Sequence, residues 1–350
     1  METRKLQKLK GGSYIISLPK DWIDKYHLKS GEQITVSEEE DGSLRLLPTI
    51  ENLEKPLEAT LSLEEYHDLR ALKYCLVTYY IQGSDRINIV SRKIIPAEQK
   101  RQIKQFRAEL PGVEVAEEEA NKLTFQVLID PTVFSLESLI ERTFAFSLKL
   151  QEDAVKALLN LDIPLAMEVL ERSSEAQRHY RFTIRQVALA AFNQKVGKKI
   201  GVKNCQDSIH FALVVRDLSR LIYHSSAIAN HVLSLEGKKI DQEVLNLIKK
   251  MSEAAYQMQK NAIEAFLKKD VRLTINVFFA MDYIKEIERA ILKKIMEKTT
   301  NIDLAITLSM IARDTRRIAG HAVAIADDVM NRILRPYTRN NSSQELEKNC

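Results

Sequence analysis

The sequence predicts a mainly α-helical protein that carries a small β-domain at its N-terminus, then a small α/β domain, then two tandem three-helix bundles. Three observations support this fold class. The first fifty residues contain short β-rich runs, the C-terminal half contains an internal repeat, and the 350 residues include only 10 glycines and 8 prolines. Because these two residues punctuate turns and loops, their scarcity favours long helices.

Composition and charge limit the function classes. With 45% hydrophobic and 29% charged residues, the chain can bury a large core, and its net charge of +4 is too small to indicate nucleic acid by itself. Cys75, Cys205 and Cys350 form no metal or disulfide pattern, which favours free thiols in a reducing cytosol. Neither a signal peptide nor a run of about 18 apolar residues is present. We therefore expect a cytoplasmic protein without membrane insertion.

Five segments are expected from these patterns. They are a β-domain at 1–50, an α/β domain at 51–131, bundle 1 at 132–236, bundle 2 at 237–335 and a polar tail at 336–350 that frays. None of them contains a nucleophile paired with a base, a phosphate-binding loop or a complete set of metal ligands. The sequence therefore predicts a protein that is not an enzyme.

The N-terminal domain is predicted to contain four strands and one short helix. The strands are expected at 4–8, 14–18, 34–36 and 44–47, and the helix at 20–26, where Pro19 suits a helix start. Gly11-Gly12 and Asp41-Gly42 mark turns. Such a small unit buries too little surface to be stable alone. A second copy would supply the missing core, so an intertwined dimer is expected.

Charge is unevenly distributed over this domain. The first twenty residues contain one acid, Glu2, and the bases Arg4, Lys5, Lys8, Lys10 and Lys20. An acidic run follows at Glu32, Glu38, Glu39, Glu40 and Asp41. Alternate residues of a strand share a face, which would align Lys8 and Lys10 with Arg4. Doubled in a dimer, these cations would bind DNA phosphates, although a solvated basic edge strand is the alternative.

Three runs of this domain, SYIISLPKDW, HLKSGEQITV and DGSLRLLP, resemble the SpoVT/AbrB family of swapped-hairpin DNA-binding domains. The matching positions are Leu18-Pro19-Lys20, Leu28 to Gly31 and Ile34 to Val36, and Glu32 replaces the usual Asp. The resemblance implies a homodimer that binds DNA through basic residues near the first strand. The expected DNA-binding residues are Arg4, Lys5, Lys8, Lys10, Ser13 and Lys20. Some members are antitoxins that bind a protein, so a protein-binding role stays open.

The α/β domain is predicted to have the order α-β-α-β-β. Ser62-Leu63-Glu64-Glu65 has the form of a capping box and predicts a helix that ends at Gly83. A strand at 86–91, a helix from Pro96 to 107 and strands at 113–115 and 123–129 follow. No binding or catalytic motif is readable in this domain. A role in dimer support or in relaying a signal stays open.

The internal repeat is the most informative feature of the chain. Residues 150–169 align without gaps to 258–277, and residues 214–230 align to 311–327. Fewer residues separate the second pair of segments than the first pair, because the first copy has a longer loop around 194–204. Three antiparallel helices are expected in each copy. Their predicted ranges are 135–160, 164–192 and 207–235 in the first copy, and 241–268, 271–298 and 302–333 in the second.

The third helix of each copy resembles that of PhoU domains, with a run like Arg-Asp-x-x-Arg-Ile-x-x-His-Ala. In the first copy Glu175, Arg178, Tyr180, Arg185 and Gln186 also resemble the second helix of archaeal PhoU-like proteins. A SpoVT/AbrB-type domain fused to PhoU repeats resembles an archaeal phosphate-uptake regulator. The resemblance implies DNA, a second copy and a phosphate-transport or signalling protein as partners. An adaptor for a transporter or kinase, with the N-terminal domain serving mainly dimerisation, is the alternative.

PhoU third helices usually carry Glu-x-x-x-Asp, whose carboxylates bind iron or zinc clusters. Here Ser219 and Tyr223 occupy those places in the first copy, and Arg316 and Gly320 in the second. Asp282 and Glu286 have a suitable spacing but lack further ligands. No cofactor is therefore expected, and a metal ion bound through Asp282 and Glu286 is the alternative that stays open.

Three residue pairs recur between the copies. They are Asp217/Asp314, Arg220/Arg317 and His224/His321. Their helical spacing places them near one another, which fits either a buried interhelical polar network or an effector surface on which histidine titrates or binds metal. His231 and Asp328 are interpreted as ordinary helix residues.

Overall fold

The computed structural model describes residues 3–38, 42–48, 56–66 and 68–334. The chain divides into two units, Met1–Leu57 and Glu58–Cys350. The predictions that concern Glu39, Glu40, Asp41 and the tail at 336–350 lie outside the described residues.

The N-terminal unit consists of two antiparallel hairpins, β1-β2 and β3-β4, with a short helix between them. The bounds are β1 Gln7–Lys8, β2 Tyr14–Ile15, α1 Lys20–Lys25, β3 Thr35–Glu38 and β4 Leu44–Leu47. Pro19 immediately precedes α1, which confirms the predicted helix start. The first two strands are shorter than predicted. The Leu9 N–H donates to the Ser13 carbonyl and closes a turn after only two residue pairs.

This unit has almost no core of its own. None of its described residues is buried. Leu6, Tyr14, Val36 and Leu44 are between 56% and 67% exposed. Because so small a unit exposes so many apolar side chains, these side chains need contact with another surface to be shielded from water.

The α/β domain contains a four-stranded sheet with the order β5-β6-β8-β7. The strand β5 is parallel to β6, and the other neighbours are antiparallel. The bounds are β5 Glu58–Ser62, α2 Leu69–Ile81, β6 Arg86–Val90, α3 Ala97–Gln105, β7 Val113–Glu118 and β8 Lys122–Val127. Leu72, Leu76 and Tyr80 of α2 pack into one core with Ile87 and Ile89 of β6. Helical and strand periodicities place these residues on facing surfaces.

The predicted helix start at Ser62 is wrong. Ser62 ends strand β5, and Asp68 caps α2 by accepting from the Arg70 N–H. Glu64 instead accepts hydrogen bonds from Ser62, from the Ser91 hydroxyl and from the Arg92 N–H. These bonds explain why the pKa of Glu64 is lowered to about 2. Glu64 therefore connects the segment after β5 to the segment after β6, and the residues that resemble a capping box do not cap a helix.

All six predicted long helices are confirmed, with each end within two residues of its predicted position. Their bounds are α4 Leu136–Asn160, α5 Ile163–Phe192, α7 Cys205–Leu233, α8 Gln242–Lys268, α9 Val271–Lys298 and α10 Ile302–Ile333. Asp162 caps α5 by accepting from the Leu165 N–H, and Pro164 occupies the first turn. The predicted long loop of the first copy contains a further helix, α6 Gln194–Ile200, which Asn193 caps and Gly201 ends.

The two bundles share one continuous apolar core. The third helices α7 and α10 pack against each other, and so do the first helices α4 and α8. In the described part of the chain, no helix is long and apolar enough to cross a membrane.

Candidate functional site

The basic patch of the N-terminal unit comprises Arg4, Lys5, Lys8, Lys10, Ser13 and Lys20, and all six residues are exposed. Lys8 ends β1, and its ammonium lies 5.9 Å from the centre of the Tyr14 ring. Lys10 lies in the following turn, so the alternation of strand side chains does not set its direction. Within the described residues, none of the four lysines forms a salt bridge. Their charge is therefore available to an external anion.

A polar network joins the third helices of the two repeats. Asp217 of α7 and Asp314 of α10 are each 1% exposed. His321 Nδ1 lies 2.9 Å from an oxygen of Asp217, and His224 Nδ1 lies 3.1 Å from an oxygen of Asp314. Because an ionised carboxylate only accepts hydrogen bonds, each histidine donates through Nδ1. Each repeat therefore supplies the histidine for the other repeat's aspartate.

Equivalent residues of the two repeats also touch each other. The rings of His224 and His321 stack with centroids 5.5 Å apart, and the Gln259 amide donates to the Gln151 side-chain carbonyl. Reciprocal contacts, together with contacts between equivalent residues, characterise a two-fold symmetric interface. The two bundles therefore pack as the halves of a symmetric dimer do, although one chain contains both.

The symmetry fails at the outer end of the network. His231 Nε2 lies 3.3 Å from the second oxygen of Asp314. Asp328 occupies the place in α10 that His231 occupies in α7, near Asp217. The second oxygens of Asp217 and Asp314 both lack a hydrogen bond from the described residues, but only that of Asp314 has a histidine nitrogen within ion-pair distance. Asp314 therefore has two histidine neighbours, whereas Asp217 has one histidine and the carboxyl group of Asp328 as neighbours.

The two ends differ in electrostatics for this reason. Burial alone would raise the pKa of Asp314, but the contacts from His224 and His231, with Arg313 nearby, hold the pKa below its usual value. Burial, followed by the carboxylates of Asp217 and Asp327, raises the pKa of Asp328 to about 7. Asp328 is therefore a buried carboxyl group whose charge changes near neutral pH.

The interpretation of His231 and Asp328 as ordinary helix residues is wrong, since both join the network. Their spacing could have identified them. Seven residues separate each member from the next in the series Asp217, His224 and His231. The same interval separates Asp314, His321 and Asp328. A seven-residue spacing keeps side chains on one seam between packed helices. The aspartates and histidines are thus brought together, as the buried-network alternative requires.

The recurring arginines lie outside this network. Arg220 and Arg317 are exposed, and neither forms a salt bridge with another described residue. The arginines that approach the aspartates are instead Arg216, 3.4 Å from Asp217, and Arg313, 3.3 Å from Asp314. Arg220 lies in a groove between α5 and α7.

The metal sites of PhoU domains do not fit the residues present. The described residues contain no group of three or more histidines, cysteines, aspartates and glutamates placed to bind a metal ion. Asp282 forms an ion pair with Lys285 at 2.9 Å, and both Asp282 and Glu286 are exposed. Ser219 and Tyr223 line the same groove as Arg220, whose positive charge repels a metal cation.

Arg185 connects bundle 1 to the α/β domain. Its side chain is 2% exposed and donates to the carbonyls of Tyr80, at 2.7 Å, and Ser84, at 2.8 Å. It also lies 3.1 Å from Asp85. Tyr80 is in the last turn of α2, and its carbonyl also accepts from the Gly83 N–H at 3.1 Å. A helix of bundle 1 therefore caps a helix of the α/β domain.

Comparison with known proteins identifies two domains. Residues 248–329 match the PhoU domain, and residues 7–53 match a domain described as "Antidote-toxin recognition MazE, bacterial antitoxin". The second match covers the region that resembles SpoVT/AbrB. The chain therefore carries a MazE/AbrB-type N-terminal domain and a PhoU domain, which confirms both resemblances.

A curated relative and two solved structures are each similar to about half of this chain. The PhoU homologue 1 of Thermotoga maritima, a phosphate-specific transport system accessory protein, is 28% identical over 185 residues, or 51% of this chain and 77% of the relative. PhoU from Pseudomonas aeruginosa has a TM-score of 0.50 at 22% identity, covering 56% of this chain and 93% of its own. The Streptococcus pneumoniae phosphate transport system regulatory protein PhoU has a TM-score of 0.49 at 18% identity, covering 56% and 91%. The bundles have the PhoU fold.

Proposed function

We propose that this protein is a DNA-binding transcriptional regulator of phosphate uptake. The N-terminal units of a homodimer bind DNA, and the PhoU-like bundles act as the signal or partner module. The observation that carries the proposal is the exposed basic patch of a unit without a core. Its four lysines form no salt bridge with another described residue, and several of its apolar side chains are exposed.

A second copy accounts for the apolar exposure. Leu6, Ile15, Ile16 and Leu44 are each more than 40% exposed in a single chain. Burying apolar surface stabilises by about 25 cal/mol per Å², so pairing these side chains across a dimer would supply the missing core. Pairing also doubles the basic patch. Each phosphate neutralised by a lysine or arginine increases DNA affinity and its dependence on salt.

Regulation would operate through dimer geometry. Two DNA-binding units reach two half-sites whose separation depends on the spacing of the units. A ligand or protein that binds the bundles and changes that spacing would change which DNA sites the dimer can occupy. The MazE match supports the DNA-binding half, and the phosphate-transport relatives support the choice of target genes.

The experiment is selection of genomic fragments by the purified full-length protein, followed by sequencing of the bound DNA. Enrichment of regions upstream of phosphate-uptake genes, lost in the Lys8→Glu/Lys10→Glu variant, is expected. Uniform recovery of fragments by both proteins would contradict the proposal.

A second candidate function is that of an adaptor for a phosphate-transport protein, with the N-terminal units serving mainly dimerisation. An open apolar groove between the end of α9 and the start of α10 favours it. Met296, Ile302 and Ile306 line this groove and are 85%, 75% and 56% exposed. A dimer that binds no DNA but retains a transport-protein partner through this groove would support the adaptor instead.

A further inference from the structure

A polar groove with a volume of about 340 Å³ lies between α5 and α7 of bundle 1. Each helix contributes residues three or four positions apart, which places them along one edge of that helix. The polar lining residues are Ser173, Gln177 and Tyr180 from α5, and Ser219, Arg220, Tyr223 and Ser226 from α7. These side chains supply hydroxyls, one amide and one guanidinium.

The groove has a positive charge without a local counter-charge. Arg220 is exposed, and no carboxylate is among the described residues that line the groove. The Ser173 and Ser226 hydroxyls lie 3.2 Å apart, and the Gln177 amide donates to the Ser219 carbonyl at 3.3 Å. The groove therefore combines a cation with several hydroxyl donors.

Bundle 2 provides an internal comparison. In the repeat alignment, Glu288 and Arg316 replace Tyr180 and Ser219, while Arg317 matches Arg220. Arg316 Nε lies 3.3 Å from Glu288, so that pair neutralises itself. Gly320 and Val323 replace Tyr223 and Ser226, which removes the hydroxyls. Only the first copy therefore combines an uncompensated arginine with a hydroxyl-rich groove.

We propose that this groove binds a phosphate group, either inorganic phosphate or a phosphate monoester. The planar guanidinium of Arg220 presents paired donors that match two phosphate oxygens, and such charge-assisted bonds are stronger than neutral ones. The hydroxyls of Tyr180, Tyr223 and Ser226 supply further donors around the same ligand. In PhoU domains the corresponding surface carries carboxylates that bind metal cations. In this protein the surface carries the Arg220 guanidinium and favours an anion.

The site also adjoins the network between the repeats. The rings of Tyr223 and His224 meet edge-on with centroids 5.2 Å apart. A ligand that fixes Tyr223 would therefore act next to the stacked histidines that join the two bundles. The role of bound phosphate as an effector rests on the proposed function, whereas binding itself does not require that the protein bind DNA.

The test is calorimetric titration of the full-length protein with inorganic phosphate, and separately with glycerol 3-phosphate, at constant ionic strength. The variants are Arg220→Gln and Tyr180→Glu, which copies the carboxylate of bundle 2. The matched control is Arg317→Gln. Arg220, Tyr180 and Arg317 are not buried, and circular dichroism checks that each variant keeps its helices.

Saturable binding of one phosphate group per chain is expected for the natural sequence and for Arg317→Gln. Arg220→Gln and Tyr180→Glu should each weaken binding by about tenfold or more, since each removes a charge-assisted contact or neutralises the arginine. If only the monoester binds, the ligand is a phosphate ester, and if both bind, the groove recognises the phosphate group itself. Absence of saturable binding of either compound, or equal losses in Arg220→Gln and Arg317→Gln, would overturn the proposal.

Discussion

Asp328→Asn should stabilise the helical bundles, and more so as pH rises. Asp328 is 9% exposed, and its pKa is raised from 3.8 to about 7. Between these two values, the folded state holds a proton that the unfolded state has released. Stability therefore falls as pH rises from about 4 to about 7. Asparagine cannot ionise, so the variant avoids this loss.

The magnitude follows from the shift. One pKa unit corresponds to about 1.36 kcal/mol, so the raised pKa of Asp328 destabilises the folded state by about 4 kcal/mol at pH 8 and by about 1.6 kcal/mol at pH 5. Asp328→Asn should thus raise the free energy of unfolding by about these amounts. Urea unfolding at the two pH values, followed by far-UV circular dichroism, measures the difference. The one tryptophan, Trp22, lies in the N-terminal unit and does not report on the bundles.

The comparison is Asp327→Asn, which removes an adjacent exposed carboxylate that contributes less than burial to the raised pKa of Asp328, and it should stabilise the bundles by less than about 1 kcal/mol at pH 8. His231→Asp places a carboxyl group beside Asp314, as Asp328 lies beside Asp217, and should destabilise at pH 8. If Asp328→Asn had equal effects at pH 5 and pH 8, or destabilised the bundles at pH 8, the electrostatic reasoning would be refuted.

Two further predictions concern buried polar contacts. Arg185→Ala removes the side-chain donor of the Ser84 carbonyl and one of the two donors of the Tyr80 carbonyl, and it should cost about 3 kcal/mol or more. Faster hydrogen exchange at the end of α2 checks this prediction, with the exposed Arg178→Ala as the unaffected control. Unchanged exchange would count against the anchoring role. Gln151→Leu or Gln259→Leu alone should each cost about 1–3 kcal/mol, since each leaves one polar atom of the other buried amide without its partner. The double variant should cost less than the two single costs together, and additive costs in urea unfolding would show that the amides are not coupled.

The helical part of the fold was predictable because its signals are local and repeated. Asp162 and Pro164 mark a helix start within three residues, and two aligned copies confirm each helix independently. The helix α6 was missed although Asn193 and Gly201 carry cap signals at its ends. Only seven residues separate those signals, and the repeat offers no second copy of this segment.

The strand β5 was missed because its partner is distant in sequence. Ala59 and Leu61 alternate with exposed residues, but five residues give a weak pattern. The register that defines the strand pairs Glu58 with Arg86, beyond the whole of α2. The local resemblance of Ser62 to a helix cap then dominated the prediction.

The network was only partly predictable. The repeat identified Asp217, His224 and their equivalents as special, but spacing along one helix does not determine which helix lies opposite. Short i, i+3 spacing grouped Arg220 with Asp217, whereas the structure places Arg220 on the exposed side. Reciprocal pairing depends on how the two bundles dock, which is a tertiary property.

The most direct test of the central claim is the salt dependence of binding to duplex DNA by the full-length protein. The variant is Lys8→Glu/Lys10→Glu, and the control Lys249→Glu/Lys250→Glu changes net charge equally on exposed positions of α8. Each lost phosphate contact reduces the slope of log affinity against log salt by about 0.9. A dimer that loses four lysine contacts should therefore bind more weakly, with a slope shallower by about 3.6, while the control stays close to the natural protein. Equal slopes for both variants, or no binding by the intact dimer, would contradict the claim that the N-terminal unit binds DNA through its basic patch.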